Sequence, residues 1–190
     1  MGKGKLIIFC APSGTGKSTI VKWLMTNHPE LNLHFSISAT SRKPRGTEKD
    51  GVEYFFKTPE QFRQLIKEDA FIEYEEVFHD KFYGTLKSQV ESQLAEGDNI
   101  IFDIDVNGGE RIKAHYKDEA LSLFILPPSI EALRERLTAR DTESPEMIEE
   151  RVARAEYEIG ESSKFDFRVV NDKLQDCQSE VFAILQNFLK

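Results

Sequence analysis

Eight consecutive residues, Ala11-Pro12-Ser13-Gly14-Thr15-Gly16-Lys17-Ser18, lie between a short apolar run, Leu6-Ile7-Ile8-Phe9-Cys10, and a stretch with helical spacing. Strand, glycine loop and helix in that order form a cradle for nucleotide phosphates. Gly14 and Gly16 let backbone N–H groups converge on phosphate oxygens, and the helix opening near Lys17 adds the positive end of its dipole. Lys17 would reach the β- and γ-phosphates, and the Ser18 hydroxyl, followed by Thr19, would coordinate a Mg²⁺ bridging the same oxygens. The pattern opens on glycine in its full form; here Ala11 stands there, which the backbone accepts where φ is negative. A nucleoside triphosphate with Mg²⁺ is the first ligand these residues imply. An ordinary Gly/Ser turn is the bland alternative, and the flanking strand and helix weigh against it.

Four other groups carry possible chemistry. In Ser41-Arg42-Lys43-Pro44-Arg45-Gly46, two arginines three apart can both fork onto one dianionic phosphate, although a solvated basic turn has the same spacing. Tyr54 and Tyr83 could add phenolic donors there, or stand as core aromatics with the hydroxyl at the rim. Glu73, after Phe71-Ile72, could accept from N1–H and N2–H₂ of guanine, whereas adenine presents an acceptor at N1; by itself a glutamate beside Glu75 and Glu76 is most often only solvated, so this role needs outside support. Ser38 and Thr85 offer small donors and acceptors for base edges. Asp103 and Asp105 end an apolar run, the first as an acid holding Mg²⁺ directly or through water, the second toward a base or ribose, unless both cap the following turn. Arg134, Arg136, Arg140, Arg151 and Arg154 could close over a triphosphate, while glutamates at 131, 135, 149, 150, 156 and 158 offer ordinary helix-face ion pairs.

The elements that must position these groups follow from pattern. With 190 residues, one domain with a real core is expected. A hydrophobic share of 39% against 31% charged, without low-complexity tracts, marks a folded rather than disordered chain. The net charge of −8 argues against a general nucleic-acid or membrane surface, so an anionic substrate must enter through a local basic patch. Cys10 and Cys177 lack metal-ligand spacing, and the first residues fall far short of a signal-peptide core or membrane span, so a cytoplasmic location is expected. A helix is expected over 18–27, ending before Pro29; two short strands within 33–40 and 54–56, joined by the basic loop; a helix from Thr58-Pro59; and a strand opening at Phe71-Ile72. Further along come a helix over 86–96, a strand buried on both faces at 99–105, and a turn at Asn107-Gly108-Gly109 into the next helix. A strand at 121–126, charged helices over 130–140 and from 145 to about 160, a strand at 167–170 and a helix over 173–189 complete the chain. Alternating strands and helices predict a parallel α/β sheet with ligands at the carboxyl ends of its strands. Segments 33–85 and 129–160 break the alternation as insertions over one rim.

Ala11 to Thr19, Phe35-Ser36-Ile37-Ser38 with Ser41 to Gly46, Phe71-Ile72-Glu73, Phe82-Tyr83-Gly84-Thr85, Ile101 to Asp105 and Arg136 with Arg140 together resemble the guanylate kinase family, in order and over nearly the whole chain. The resemblance implies a P-loop three-layer parallel sheet core (1–32, 86–128 and 161–190), a GMP-binding α+β insertion (33–85) and a helical lid (129–160). It implies transfer of the ATP γ-phosphoryl group to GMP with Mg²⁺, in purine nucleotide metabolism and GMP recycling, with ATP and GMP as small-molecule partners. Residues 11–19 and Asn171 would bind ATP, Asn171 approaching adenine. Ser38, Glu73, Thr85 and Asp105 would address guanine; Arg42, Arg45, Tyr54 and Tyr83, with Gly84 beside it, would hold the GMP phosphate. Lys17 and the lid arginines Arg136, Arg140 and Arg151 would act on the transferring group, with Ser18 and Asp103 toward the metal. Three departures from the family pattern stand out: Ala11 for glycine, Asp141 where the lid more often has glycine, and one extra residue between Glu73 and Tyr83.

Two rival readings differ in what they need. A P-loop kinase of a phosphorylated sugar would not need Ser38, Glu73, Thr85 and Asp105 together. A catalytically silent interaction module of the same family typically loses phosphate-loop groups, whereas Lys17 and Ser18 are present. Both monomer and homodimer remain compatible with the helix faces at 86–96 and 173–189, and dGMP as an acceptor is left open.

Overall fold

A computed structural model describes residues 2–139 and 144–190. Its centre is a parallel sheet in the order β2-β7-β1-β8-β9, formed by β1 (Leu6–Cys10), β2 (Leu33–Phe35), β7 (Asn99–Asp103), β8 (Ala120–Leu126) and β9 (Phe167–Val170). The apolar run of β1 is buried along its whole length because both faces are covered, and alternate residues feed different layers. Ile7 and Phe9 pack with Ile101, Leu123 and Ile125 against α1 (Lys17–Asn27) and α7 (Leu174–Leu189). Leu6, Ile8 and Cys10 join Ile100, Phe102 and Phe124 against α3 (Lys87–Glu96) and α4 (Val106–Tyr116). The result is the expected three-layer α/β core.

A second sheet, ordered β4-β3-β6-β5, comprises β3 (Ala39–Thr40), β4 (Phe55–Phe56), β5 (Phe71–Phe78) and β6 (Lys81–Leu86). It packs on α2 (Pro59–Lys67) through stacked Phe62, Phe71 and Phe82. Three local features differ from the sequence expectation. The run from Leu33 to Thr40 is split: β2 extends the core sheet by pairing with β7, and β3 pairs with β6 in the smaller one. Phe71-Ile72 opens a strand of eight residues that returns through an antiparallel hairpin, turned by Asp80 in the left-handed region at φ 59°. Asn107, Gly108 and Gly109 lie inside the first turn of α4, whose N-terminus Asp105 caps by accepting from Gly108 N at 3.0 Å.

Over the carboxyl ends of β1 and β8 sit α5 (Ile130–Thr138) and α6 (Pro145–Glu161), joined face to face by Leu133, Leu137, Ile148, Val152 and Ala155. Each begins on a serine, Ser129 or Ser144, that accepts from a first-turn N–H. No described helix is long and apolar enough to cross a membrane.

Candidate active site

The glycine loop leaves β1 and enters α1 with Gly14 at φ 95° and Gly16 at φ 93°, left-handed conformations that side-chain-bearing residues resist. Space makes the same demand, since a Cβ on Gly14 would stand 2.9 Å from Leu137 Cδ2 and one on Gly16 2.5 Å from Asn171 Nδ2. Gly16 is also the N-cap of α1 and offers no side chain to its first-turn N–H groups, which leaves those of Lys17 and Ser18 for an anion. Thr15 is fully buried; its hydroxyl donates to Pro12 O at 2.9 Å and its carbonyl accepts from Asn171 Nδ2 at 2.6 Å. Its side chain therefore braces the loop. Asn171 is equally committed, buried at 5% exposure and held at the end of β9 by its N–H on Leu126 O.

In front of the loop lies a cavity of about 670 Å³, lined by Ala11, Pro12, Ser13, Gly14, Gly16, Lys17, Ser18 and Thr19 on one side. Asp103, Ile104 and Asp105 line it from the end of β7, and Glu150, Arg151, Arg154 and Glu158 from α6. Lys17 Nζ forms an ion pair with Asp103 Oδ1 across this space. A cation is thus already held where Asp103 and the Ser18 hydroxyl face the same cavity, and hard oxygen donors of this kind suit Mg²⁺. Arg151 Nη1 donates to Ser13 Oγ at 2.6 Å, tying α6 to the loop. Arg136 does not line this cavity; its Nη2 donates to Asn171 O at 2.9 Å, behind the loop. Arg140, expected among the same arginines, lies outside the described residues.

The second cluster lies on the small sheet. Glu73 and Thr85 are directly opposed across the β5–β6 pair, and Thr85 Oγ1 donates to Glu73 Oε1 at 2.6 Å. Burial pushes the Glu73 carboxyl above its ordinary pKa, reinforced by the negative charge of Asp105 and opposed by the Thr85 hydrogen bond and by Arg111. Asp105 lines the phosphate cavity, so the two clusters abut. Gly84 opposes Tyr74, and a Cβ there would come within 2.8 Å of Glu73 O, so its place in the site is to let the strands close. Ser38 is half-buried, its carbonyl accepting from Phe55 N at 2.9 Å.

Arg42, though in an exposed basic loop, is itself buried, its guanidinium over the Tyr54 ring at 4.8 Å and the Phe56 ring at 5.7 Å. Tyr54 and Tyr83 meet edge to face at 6.0 Å. Arg45 stays exposed, so the two arginines of this loop lie at different depths. Sequence reasoning missed Glu48, which accepts from both Arg42 Nη atoms at 2.6 and 2.7 Å and from Arg45 N at 2.7 Å. These bonds hold its carboxyl down at about 2. An acid six residues after one arginine and three after the other was the available signal. Arg111, which donates to Tyr74 O at 3.1 Å, carried no comparable signal.

A glycine loop between a buried parallel strand and a helix, with lysine, hydroxyl and acid around one cavity, defines a P-loop nucleotide-binding α/β protein. The guanylate kinase family model matches residues 3–188. A guanylate kinase of Bacteroides thetaiotaomicron is 59% identical over 186 residues, covering 98% of this chain and 90% of that protein. One of Porphyromonas gingivalis is 57% identical, covering 97% and 98%. The crystal structure of guanylate kinase from Anaplasma phagocytophilum superposes with a TM-score of 0.71 at 27% identity, covering 100% of this chain and 88% of that one. The chain belongs to the guanylate kinase family.

Proposed function

We propose that the chain catalyses reversible transfer of the γ-phosphoryl group of MgATP to the phosphate of GMP, giving ADP and GDP. The observation that carries this reading is the half-buried Glu73 carboxylate, bonded to Thr85 and abutting the loop cavity through Asp105. A carboxylate there accepts from the two adjacent N–H groups of guanine and faces a lone pair on adenine. A sugar-phosphate site would have no use for this cross-strand pair. The Lys17–Asp103 contact and the free first turn of α1 argue likewise against a silent interaction module.

In this reading the attacking oxygen belongs to an already ionised phosphate, so no general base is needed and catalysis reduces to in-line positioning and charge neutralisation. Lys17 moves from Asp103 to the β,γ-phosphates, the N–H groups of Lys17 and Ser18 hold the phosphate chain, and Arg151 approaches from α6. Ser18 and Asp103 would hold Mg²⁺, which would supply charge neutralisation to the phosphate oxygens. Arg42, Arg45, Tyr54 and Tyr83 hold the GMP phosphate; Ser38, Glu73, Thr85 and Asp105 face guanine. Arg136 serves first by fixing Asn171 behind the loop, and Arg140 joins Arg151 as a lid cation. Segment 33–85, apart from β2, is the acceptor-binding part and 129–160 the lid, whose closure over both nucleotides excludes water. A cytoplasmic place in purine nucleotide turnover follows from this activity and is supported by two buried free thiols, Cys10 and Cys177. A coupled assay of ADP formation across GMP, AMP, CMP and UMP tests the proposal. Turnover with GMP alone is expected; comparable turnover with AMP would discredit Glu73 as the base selector.

A further inference from the structure

Arginine has five N–H donors in a rigid plane, and those of Arg42 are unevenly committed. The Nη1 hydrogens go to Glu48 Oε2 at 2.6 Å and to Lys43 O at 3.1 Å, and one Nη2 hydrogen goes to Glu48 Oε1 at 2.7 Å. This end-on pairing consumes the face between the two Nη atoms. The Nε–H and the second Nη2–H lie side by side along the lateral edge, a spacing that matches two oxygens of a phosphate. The guanidinium cannot swing freely, because the Tyr54 and Phe56 rings lie against it at 4.8 and 5.7 Å and its side chain is only 8% exposed. The Tyr83 hydroxyl is a further hydrogen-bond partner of the Arg42 side chain, so it shares with the incoming phosphate the donors that Glu48 and Lys43 leave. Through Oε2, Glu48 reaches the backbone N–H of Arg45 as well, so one carboxylate fixes the fork of the first arginine and the chain position of the second.

We infer that Glu48 is a positioning residue for the acceptor phosphate: it holds Arg42 end-on, so that the lateral edge, together with Arg45, receives the phosphate monoester of the incoming nucleotide. The inference rests on the proposed function and deepens it. Glu48 never touches substrate; it removes the freedom that Arg42 would otherwise lose on binding. Its negative charge leaves the pair of arginines with a net charge of one, so its contribution lies in geometry.

Steady-state kinetics of the parent, Glu48→Gln and Glu48→Asp, with guanosine binding by calorimetry, test this. Glu48→Gln keeps the shape but turns one amide N–H₂ toward the Arg42 donors. We expect KM for GMP to rise about 10-fold, with kcat and KM for ATP within about 3-fold of the parent. Affinity for guanosine, which lacks the phosphate, should be unchanged, and Glu48→Asp should recover part of the loss. An unchanged KM for GMP overturns the inference. A lowered KM overturns it in the other direction, making Glu48 a competitor of the phosphate, and an equal loss of guanosine binding reduces it to general loop support. If Glu48→Gln does not fold, Glu48→Asp carries the same comparison, with a smaller rise in KM for GMP as the supporting result and no rise as the overturning one. A parent inactive on GMP would instead refute the proposed function, so the two failures are distinguishable.

Discussion

Lys17 is held by Asp103 at the edge of the cavity, with its side chain 16% exposed, so a modest reorientation delivers its charge to a bound phosphate chain. Lys17→Met should lower kcat about 10²- to 10³-fold, the loss typical of removing one donor to developing charge, with an unchanged circular dichroism spectrum. Glu73 makes a prediction in pH. Its pKa is raised in the folded state, so its contribution to stability is full below the ordinary carboxylate range and is lost as pH rises through the folded value. Glu73→Gln should therefore be at least as stable as the parent at pH 7 in thermal melts, while its KM for GMP rises about 10- to 100-fold. In the parent, GMP binding should release protons and weaken as pH falls into the raised range, measurable by calorimetry in buffers of different ionisation enthalpy. Residue types and spacing alone marked Lys17, Ser18 and Asp103 as candidates, because few side chains perform their chemistry, whereas Glu73 needed the family resemblance to stand out from its acidic neighbours. Glu48 and the Asn171 brace were not, since both depend on how a loop folds back on itself and on partners far away in the chain, Thr15 lying 156 residues from Asn171.

The helices and strands differ in how local their causes are. α2 carries its start in four residues: Thr58 Oγ1 accepts from Gln61 N at 3.2 Å, and Gln61 Oε1 accepts from Thr58 N at 2.9 Å. Thr58→Ala should cost about 1 kcal/mol, read as a fall of about 2–4 °C in Tm, with GMP and ATP kinetics unchanged. Gly16→Ala combines a left-handed φ with a Cβ 2.5 Å from Asn171 Nδ2, so it should raise KM for ATP and lower Tm together. β1, β7 and β8 were readable as apolar runs because both their faces are covered, and the same property made their parallel pairing foreseeable. β6 was not readable: Lys81-Phe82-Tyr83-Gly84-Thr85-Leu86 lacks clean alternation, since Phe82 packs on α2 while Tyr83 and Thr85 serve the site. Its turn has Asp80 at positive φ in place of the Asn-Gly or Asp-Gly pair that announces a hairpin. β2 and β3 are continuous in apolar alternation yet belong to different sheets, and only tertiary pairing separates them.

The molecule as a whole is acidic, at net charge −8, yet Lys17, Arg151 and Arg154 line one cavity and Arg42 and Arg45 share one loop. Their field is local and partly exposed to solvent, so raising ionic strength from about 0.05 to 0.5 M should lower kcat/KM for both nucleotides several-fold. In the proposed reading the core holds one phosphate site at the carboxyl end of β1 and the small sheet the other, with α6, packed on α5, walling the cavity in front of the loop. In the proposed reaction that arrangement has one chemical purpose: a single phosphoryl group crosses directly from donor to acceptor while water is kept out. ATP labelled in its γ-phosphoryl group and incubated with GMP, Mg²⁺ and the protein tests this most directly. The label should appear in the β-phosphoryl of GDP, in step with ADP formation and with little released as inorganic phosphate. Label released chiefly as inorganic phosphate, or retained on the protein, would contradict it.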